Sequence, residues 1–250
     1  MAQGSGDKVD RPFDPCEQRL AEVDLAALER GEPLDETDLH ILSVGLLTAK
    51  RWQIRLKRLI DVTGALAALV LLSPLLVLTA LLIVVDSPGS ILYHQQRVGK
   101  GGRRFEILKF RSMYSGAHDE RDVVAPTNEA TGPVFKVRND PRVTRVGRVI
   151  RKLSIDELPQ FWNVLKGDMS LVGPRPPLPE EYVTYGRAQY RRLLVTPGLT
   201  CIWQVSGRSD VGFEDWVAMD VEYITTWTLR RDLVLIARTI PAVLSGRGAY

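Results

Sequence analysis

The chain has little cysteine and little histidine, and both shortages exclude classes of site. Its two cysteines, Cys16 and Cys201, cannot form a disulfide framework in 250 residues. No CxxC motif or Cys/His cluster indicates zinc, and three scattered histidines argue against a Ser/His/Asp triad. The composition is otherwise ordinary, with 45% hydrophobic and 25% charged residues. It excludes collagen-like, low-complexity and wholly disordered chains.

Basic residues are scarce in the first fifth of the chain. Residues 1–49 contain four basic and eleven acidic residues, so the remainder carries +10 within a total of +3. We therefore predict an acidic, partly disordered extension over residues 1–50, followed by a basic part that favours anionic partners. Apolar residues at helical spacing predict short helices at residues 17–30 and 39–47 of the extension.

Residues 64–85 form an uncharged apolar segment. As one straight helix, such a segment measures about 33 Å, enough to cross the core of a bilayer. Ser73 and Pro74 lie near its middle, where proline removes a backbone hydrogen bond and breaks the helix. Basic residues flank both ends, which favours a cytoplasmic position for both flanks. We predict a re-entrant helix–break–helix within residues 51–90, with a kinked spanning helix as the alternative.

Residues 91–250 are predicted to form a basic domain on the cytoplasmic side. Two β-like runs joined by a glycine-rich link predict a hairpin over residues 91–113. Four prolines between Pro174 and Pro179 predict an irregular segment. Apolar spacing predicts helices at residues 143–152, 156–165, 180–194, 213–227 and 229–244.

The last of these helices has an apolar stripe beside three arginines. Leu229, Leu233, Ile236 and Ile240 share one face, which is typical of a core helix or of a helix at a membrane interface. The same apolar surface suggests a homodimer. The predicted fold is α+β and mainly helical: a monotopic membrane protein with a re-entrant helix, a small β-hairpin and interfacial amphipathic helices.

The sequence SIDELPQ carries two adjacent carboxylates, Asp156 and Glu157. On a helix such neighbours lie about 100° apart and can converge on one ion, which suits Mg²⁺. An aspartate can also act as a covalent nucleophile. The alternative is structural: Ser154 caps the helix with Glu157 in a capping box, and Asp156 complements the helix dipole. These seven residues alone favour the structural role.

Basic residues around the acidic pair change that balance. Arg151 precedes the pair, Arg175 lies in GDMSLVGPRP, and Arg208 ends VTPGLTCIWQVSGR. An arginine held between prolines or glycines is well suited to bind phosphate oxygens through two hydrogen bonds. Three of them around two carboxylates indicate a diphosphate site with a metal. Lys109 and Arg111, in the second β-like run, are further candidates for phosphate binding.

Four stretches resemble, in order, a known family. They read KRLIDVTGA…LLSPLL, QQRVGKGGRRFEILKFRSM, RKLSIDELPQFWNVLKGDMSLVGPRP and PGLTCIWQVSGR. The family is that of the bacterial sugar transferases, the monotopic polyprenyl-phosphate hexose-1-phosphate transferases or phosphoglycosyl transferases. The resemblance covers about residues 57–250, nearly four-fifths of the chain, and its motifs are long and specific.

The resemblance implies an enzyme of the bacterial inner membrane, with its catalytic domain on the cytoplasmic face. Its reaction transfers a hexose-1-phosphate from a UDP-sugar to undecaprenyl phosphate, releases UMP and initiates exopolysaccharide synthesis. Glucose is the first expectation for the sugar and galactose the second, with N-acetylated sugars as a further alternative. Ser73–Pro74 matches the Ser-Pro that forms the re-entrant break in the family.

The resemblance also implies roles for individual residues. Asp156 matches the nucleophile that forms a covalent phosphosugar intermediate, and Glu157 matches the glutamate that helps to bind Mg²⁺. Both carboxylates are therefore expected metal ligands. Arg151, Arg175 and Arg208 match arginines implicated in phosphate binding.

Two positions stand apart from the family pattern or from its known roles. Cys201 occupies the place of a glycine in the PGLTG-type motif, which suggests a local difference in backbone geometry. Asp61 precedes the apolar segment, and we expect it to form an ion pair with Lys57 or Arg58 at the membrane interface.

Two other functions are alternatives to the transferase. A membrane-bound scaffold or regulator that binds anionic lipid needs only the basic flanks and the apolar hairpin. It gives no reason for an acidic pair among rigidly held arginines. A nucleic-acid binder fits the net charge, but the sequence has no recognised nucleic-acid-binding motif.

Overall fold

A computed structural model gives the fold of most of the chain. The predicted N-terminal helices at residues 17–30 and 39–47 lie outside the part that it describes. The described residues are 49–117, 121–129, 131–135, 137, 139–207 and 211–246.

The described part is mainly helical, with four short strands. The strands are β1 (Leu92–Val98), β2 (Arg104–Phe110), β3 (Ser170–Val172) and β4 (Gly198–Thr200). The α-helices are α1 (Arg51–Leu71), α2 (Ser73–Asp86), α3 (Arg121–Val124), α4 (Arg145–Lys152), α5 (Phe161–Lys166), α6 (Pro179–Tyr182), α7 (Arg187–Tyr190), α8 (Ile202–Ser206), α9 (Phe213–Thr225) and α10 (Leu229–Ser245). Short 3₁₀ helices cover Lys100–Gly102, Ala125–Thr127, Ile155–Gln160 and Arg191–Leu194.

The apolar segment is a bent helix pair, α1 and α2, as the Ser-Pro sequence predicts. The two axes differ by 60°, and Pro74 lies in the first turn of α2. The Ser73 hydroxyl donates to the carbonyl of Val70 at 2.8 Å, next to the position where proline lacks an N–H. Among the described helices, none is by itself long and apolar enough to cross a membrane, although the bent pair together is.

Large apolar side chains of this pair face away from the rest of the protein. Five of them are between 61% and 86% exposed: Val70, Leu71, Val77, Leu81 and Val85. Water-soluble proteins rarely expose so many large apolar side chains on one pair of helices.

The other side of α1 is joined to the domain by a buried ion pair. Lys57 Nζ lies 2.8 Å from Asp232 Oδ2 and donates to the carbonyl of Val172 at 3.0 Å. The same carboxylate accepts from the Tyr223 hydroxyl at 2.8 Å and from the Trp227 indole at 3.1 Å. One buried carboxylate therefore connects α1, α9 and α10.

Asp61 does not form the ion pair predicted for it, because both candidate cations have other partners. Its Oδ1 accepts from the Ser170 hydroxyl at 3.0 Å and from the Leu171 N–H at 2.9 Å. Arg58 donates to the carbonyls of Val164 and Leu165, at 2.6 and 2.8 Å, and thereby satisfies the C-terminal end of α5. These residues dock α1 against the domain.

Asp86, the last residue of α2, stabilises the start of α4. Its Oδ2 accepts from the Val146 N–H at 3.0 Å, and the Thr144 hydroxyl accepts from the Gly147 N–H at 2.9 Å. A carboxylate at a helix N-terminus satisfies an unpaired donor and complements the helix dipole. The end of the apolar helix pair is thus bonded to the helix that precedes SIDELPQ.

The strands form two small sheets. β1 and β2 pair antiparallel, which confirms the predicted hairpin. β3 and β4 pair in parallel, a contact that the sequence did not predict. Gly173 directly follows β3, and Gly198 is the first residue of β4. A side chain at Gly198 would collide with the backbone of Gly173. The two glycines therefore allow the proline-rich segment to lie directly against β4.

Two predicted helices are broken. The helix predicted for residues 156–165 is a 3₁₀ helix over Ile155–Gln160 followed by α5, because Pro159 cannot continue an α-helical ladder. The helix predicted for residues 180–194 is divided into α6, α7 and a 3₁₀ turn, with Gly186 at the start of α7. The last two predicted helices are present as α9 and α10.

The main core lies between α1, α5, α9, α10 and β3. It contains Ala65, Val164, Val172, Tyr223 and Leu235, all buried. The predicted stripe of α10 is divided between two environments. Leu229 and Ile236 pack against this core, whereas Leu233 and Ile240 are exposed.

Candidate active site

A cleft of about 530 Å³ opens between the β-hairpin, the Ile155–Gln160 helix and the proline-rich segment. Tyr93, Gln95 and Arg97 line it from β1. Side chains two residues apart on a strand share one face, so β1 forms a continuous wall along the cleft. A volume of this size is typical of a small-molecule site.

The acidic pair enters the cleft from a strained turn. Ser154 has φ of 54°, in the left-handed region, and its side chain forms no cap. The predicted capping box is therefore wrong: the backbone of Glu157 bonds to the Ser154 carbonyl, but its side chain does not reach back. Instead, Glu157 Oε1 accepts from Lys109 Nζ at 2.7 Å. Lys109 on β2 thus holds one of the two carboxylates.

The two carboxylates differ electrostatically. Burial raises the pKa of Asp156 to about 6, although the charges of Lys109 and Arg151 oppose the change. Burial acts in the same direction on Glu157, but the charges of Lys109 and Arg175 outweigh it and lower the pKa of Glu157. Glu157 is therefore a stable anion, whereas Asp156 is a poorly solvated carboxylate, which is the more reactive state.

Arg97 is a member of the site that was not among the predicted phosphate-binding residues. Its guanidinium is buried and donates to the Pro176 carbonyl at 3.0 Å and to Gln95 Oε1 at 2.8 Å. Its Nε has no hydrogen-bond partner among the described residues. Burial, together with the charge of Arg175, lowers the pKa of Arg97 to about 10. In the sequence, Arg97 follows Tyr93 and Gln95 at a spacing of two residues, and this strand pattern could have placed it on the same face as them.

The structure brings most of the predicted basic residues to this cleft. Arg151, Arg175 and Lys109 line it together with both carboxylates. Arg111 lines it too, but its guanidinium donates to the carbonyls of Ser87 and Pro88, both at 2.6 Å. It therefore holds the end of the apolar helix pair. Arg208 lies outside the described residues.

Asp156 and Glu157 are the candidate ligands for a metal ion at this site. The described residues contain no group of three or more His, Cys, Asp and Glu side chains that could enclose one. Mg²⁺ commonly uses only one or two protein carboxylates and completes its shell with water and substrate phosphate. Asp156 and Glu157, beside cationic side chains, fit a magnesium ion whose other ligands are water and phosphate oxygens.

Part of the cleft wall is aromatic. Trp203 and Trp216 stack with ring centroids 4.1 Å apart and planes 13° apart, and both line the cleft. The Arg175 guanidinium lies 5.9 Å from the centroid of the Trp216 ring.

Cys201, which occupies the glycine position of the PGLTG-type motif, lies two residues before Trp203. Its backbone angles, φ −152° and ψ 179°, are extended and can be adopted by any residue. The cysteine at this glycine position therefore needs no unusual backbone.

The chain is similar to known proteins over most of its length. The model of a family described as "Bacterial sugar transferase" matches residues 52–246. "Galactosyl transferase CpsE" of Streptococcus agalactiae is 45% identical over 194 residues, which are 77% of this chain and 43% of that protein. "Exopolysaccharide production protein ExoY" of Rhizobium meliloti is 44% identical over 198 residues, 78% of this chain and 88% of that protein.

A third relative is named for a complete reaction. "UDP-glucose:undecaprenyl-phosphate glucose-1-phosphate transferase" of Caulobacter vibrioides is 44% identical over 203 residues, 78% of this chain and 72% of that protein. The chain spans about half the length of several other relatives that it matches. The similarity is therefore to a defined part of those longer proteins.

Proposed function

Because the chain belongs to the bacterial sugar transferase family, we propose that it transfers a hexose-1-phosphate from a UDP-sugar to undecaprenyl phosphate and releases UMP. The name of the Caulobacter relative states this reaction for glucose, and the streptococcal relative is named for galactose. Glucose or galactose is accordingly the proposed sugar, and the first step of exopolysaccharide synthesis is the proposed role. The observation that carries the proposal is the acidic pair, Asp156 and Glu157, in a cleft lined with cationic side chains.

In the first half of the reaction, a carboxylate oxygen of Asp156 attacks the phosphorus that bears the hexose. A bond forms between that oxygen and the phosphorus, while the bond from phosphorus to the bridging oxygen of the diphosphate breaks. UMP leaves with the bonding electron pair. Lys109 and Arg175 stabilise the charge that develops on the diphosphate oxygens.

In the second half, a phosphate oxygen of the undecaprenyl phosphate attacks the same phosphorus. The acyl phosphate bond breaks, the carboxylate of Asp156 is restored, and the product is undecaprenyl diphosphate hexose. Because the two substrates react in separate displacements, they need not be bound together, so ping-pong kinetics are expected.

Glu157 and Asp156 would hold Mg²⁺ in this mechanism. A bound magnesium ion supplies positive charge that screens the diphosphate oxygens. Lys109 keeps Glu157 anionic and oriented through the 2.7 Å hydrogen bond, so this carboxylate is available as a ligand at neutral pH.

The proposal includes a re-entrant position of α1 and α2 in the cytoplasmic leaflet of the inner membrane, with the rest of the domain on the cytoplasmic face. The exposed apolar side chains of the pair support it, since lipid is the solvent that suits them. Leu233, Ile240 and Leu244 on α10 are exposed as well, and we assign them to the membrane interface. The homodimer suggested by that surface stays a prediction.

A labelling experiment separates re-entry from a kinked span. With the native cysteines replaced by serine, single cysteines at Trp52 and Lys100 should both react with a membrane-impermeant maleimide from the cytoplasmic side only. A cysteine at Leu71, beside the bend, should react from neither side, because it would lie within the hydrocarbon core. Periplasmic labelling of either flanking position would contradict the re-entrant geometry.

The reaction itself is tested with the full chain in nanodiscs. We expect UMP release from one of a panel of UDP-sugars that contains UDP-glucose and UDP-galactose, dependent on undecaprenyl phosphate for multiple turnovers. Chelation should abolish the release, and added Mg²⁺ should restore it. Folded protein that releases no UMP with any sugar of the panel would contradict the transferase and favour the lipid-binding scaffold.

A further inference from the structure

The proline-rich segment that carries Arg175 is held at four consecutive backbone carbonyls. The carbonyls of residues 174–177 each accept a hydrogen bond, between 2.9 and 3.2 Å long, from a different donor. The donors, in order, are the N–H of Gly198, the guanidinium of Arg192, the guanidinium of Arg97 and the N–H of Val98. Because proline has no N–H, a segment rich in proline is attached to its surroundings chiefly through its carbonyls. These four bonds therefore fix the backbone from which the Arg175 side chain enters the cleft.

Arg192 connects this backbone to a buried ion pair. Its Nε donates to Asp220 Oδ2 at 2.7 Å, and its Nη1 donates to the Tyr185 hydroxyl at 2.9 Å. Its third nitrogen, Nη2, donates to the carbonyl of Arg175 at 3.2 Å. Arg192 is 3% exposed and Asp220 is fully buried, and neither they nor Tyr185 line the cleft. Since a guanidinium presents its donors in a rigid plane, Asp220 and Tyr185 determine where the Arg175 carbonyl is held.

Helix α9 supports both ends of Arg175. Trp216 and Asp220 are four positions apart on α9 and therefore share one face of the helix. The ring of Trp216 lies beside the Arg175 guanidinium, and Asp220 holds the Arg192 side chain that bonds to the Arg175 carbonyl. A free arginine side chain loses rotamer freedom when it binds a ligand, and holding it in place beforehand lowers that cost.

We infer that Arg192 is a positioning residue: it holds the backbone of Arg175 so that the Arg175 guanidinium meets the diphosphate of the sugar donor, and it does not itself contact the substrate. This inference rests on the proposed function, in which Arg175 faces the diphosphate. A lysine in place of Arg192 keeps a positive charge beside Asp220. Its compact ammonium lacks the planar fork, so it cannot hold Asp220, Tyr185 and the Arg175 carbonyl in the same geometry.

Calorimetric titration of UDP into the full chain in nanodiscs, with Mg²⁺ present, tests this without turnover, because UDP carries no hexose to transfer. Arg192→Lys should weaken UDP binding about fivefold, the factor that corresponds to one hydrogen bond. The number of UDP sites per chain should not change, and the KM for the preferred UDP-sugar should rise by a similar factor. A merely structural role would instead lower the number of competent sites and leave the affinity of the remaining sites as it was.

The same substitution in an Arg175→Met background shows whether the effect passes through Arg175. There, Arg192→Lys should weaken UDP binding by less than about twofold, because the guanidinium that Arg192 positions is already absent. Equal losses of affinity in the two backgrounds would overturn the inference. Unchanged UDP affinity of Arg192→Lys in the otherwise unmodified chain would overturn it as well.

Tyr185→Phe is a second, milder variant, which serves if Arg192→Lys does not fold. It removes the hydroxyl that accepts from Arg192 Nη1, but it keeps the ring within its buried cluster and leaves the ion pair in place. We expect about threefold weaker UDP binding, again only where Arg175 is present. Arg191→Lys is the matched control, because Arg191 is the neighbouring residue and does not line the cleft. Its variant should bind UDP as the unmodified chain does.

Failure of the inference and failure of the proposed function give different results. If the unmodified chain binds UDP and releases UMP, but the substitutions at residues 185 and 192 cost the same with and without Arg175, only the inference is wrong. A folded, unmodified chain that neither binds UDP nor releases UMP would contradict the proposed function and the inference together.

Discussion

Asp156→Asn is expected to lower the rate of UMP release by at least about a thousandfold. The amide that replaces the carboxylate is neutral and cannot form the acyl phosphate. The fold should tolerate the change, because burial already disfavours the charged form of this side chain and raises its pKa. The measurement is UMP release from the preferred UDP-sugar, together with intact-mass analysis after incubation without acceptor. The unmodified chain should gain the mass of one hexose phosphate, and the variant should gain none.

Asp215→Asn provides the matched control. Asp215 is exposed in the first turn of α9 and does not line the cleft. Its variant should retain activity within about twofold, as is usual for surface substitutions. Undiminished UMP release by Asp156→Asn would preserve the reaction class but refute the covalent mechanism, since another nucleophile would have to attack.

Lys57→Met is expected to lower the free energy of unfolding by about 3–5 kcal/mol. The substitution leaves the Asp232 carboxylate buried against Tyr223 and Trp227 with no cation beside it. Equilibrium unfolding in detergent measures the change. Arg55→Met is the control, because Arg55 is exposed on the same helix and its loss should change stability by less than about 0.5 kcal/mol.

A second substitution tests the reason for that loss. If the cost comes from an unpaired buried charge, Asp232→Asn combined with Lys57→Met should be more stable than Lys57→Met alone. A double variant that is less stable than the single one would show that the carboxylate contributes chiefly through its other hydrogen bonds. Unchanged unfolding of Lys57→Met would mean that α1 is not held by this pair.

The sequence predicted those elements whose structure depends on residues that are close together in the chain. The hairpin follows from alternating residues and a glycine-rich link, and α9 and α10 follow from apolar residues at helical spacing. The break at Pro74 is a property of proline itself. In the same way, the acidic pair and its arginines could be recognised from residue types and rigid neighbours, and the structure places Arg151 and Arg175 in the cleft with the pair.

Long-range partners account for what the sequence did not show. The predicted capping box of Ser154 and Glu157 does not form. The Glu157 side chain bonds instead to Lys109, which lies 48 positions away, and Ser154 adopts a left-handed conformation. Lys57 finds its partner 175 positions away, at Asp232. No spacing rule connects such residues. The stacking of Trp203 on Trp216 is likewise a consequence of the packing of α8 against α9.

The docking of α1 has a consequence for how such proteins can evolve. Ala65 of α1 belongs to the main core, and Lys57, Arg58 and Asp61 satisfy polar groups on α10, α5 and β3. The helix is thus both a part of the apolar pair and one side of the main core. A recombination that replaced it with an unrelated helix would leave Asp232 without its cation and open the core. We therefore expect exchange of parts between relatives to be tolerated at positions before α1, whereas α1 and the residues that follow it depend on one another for stability.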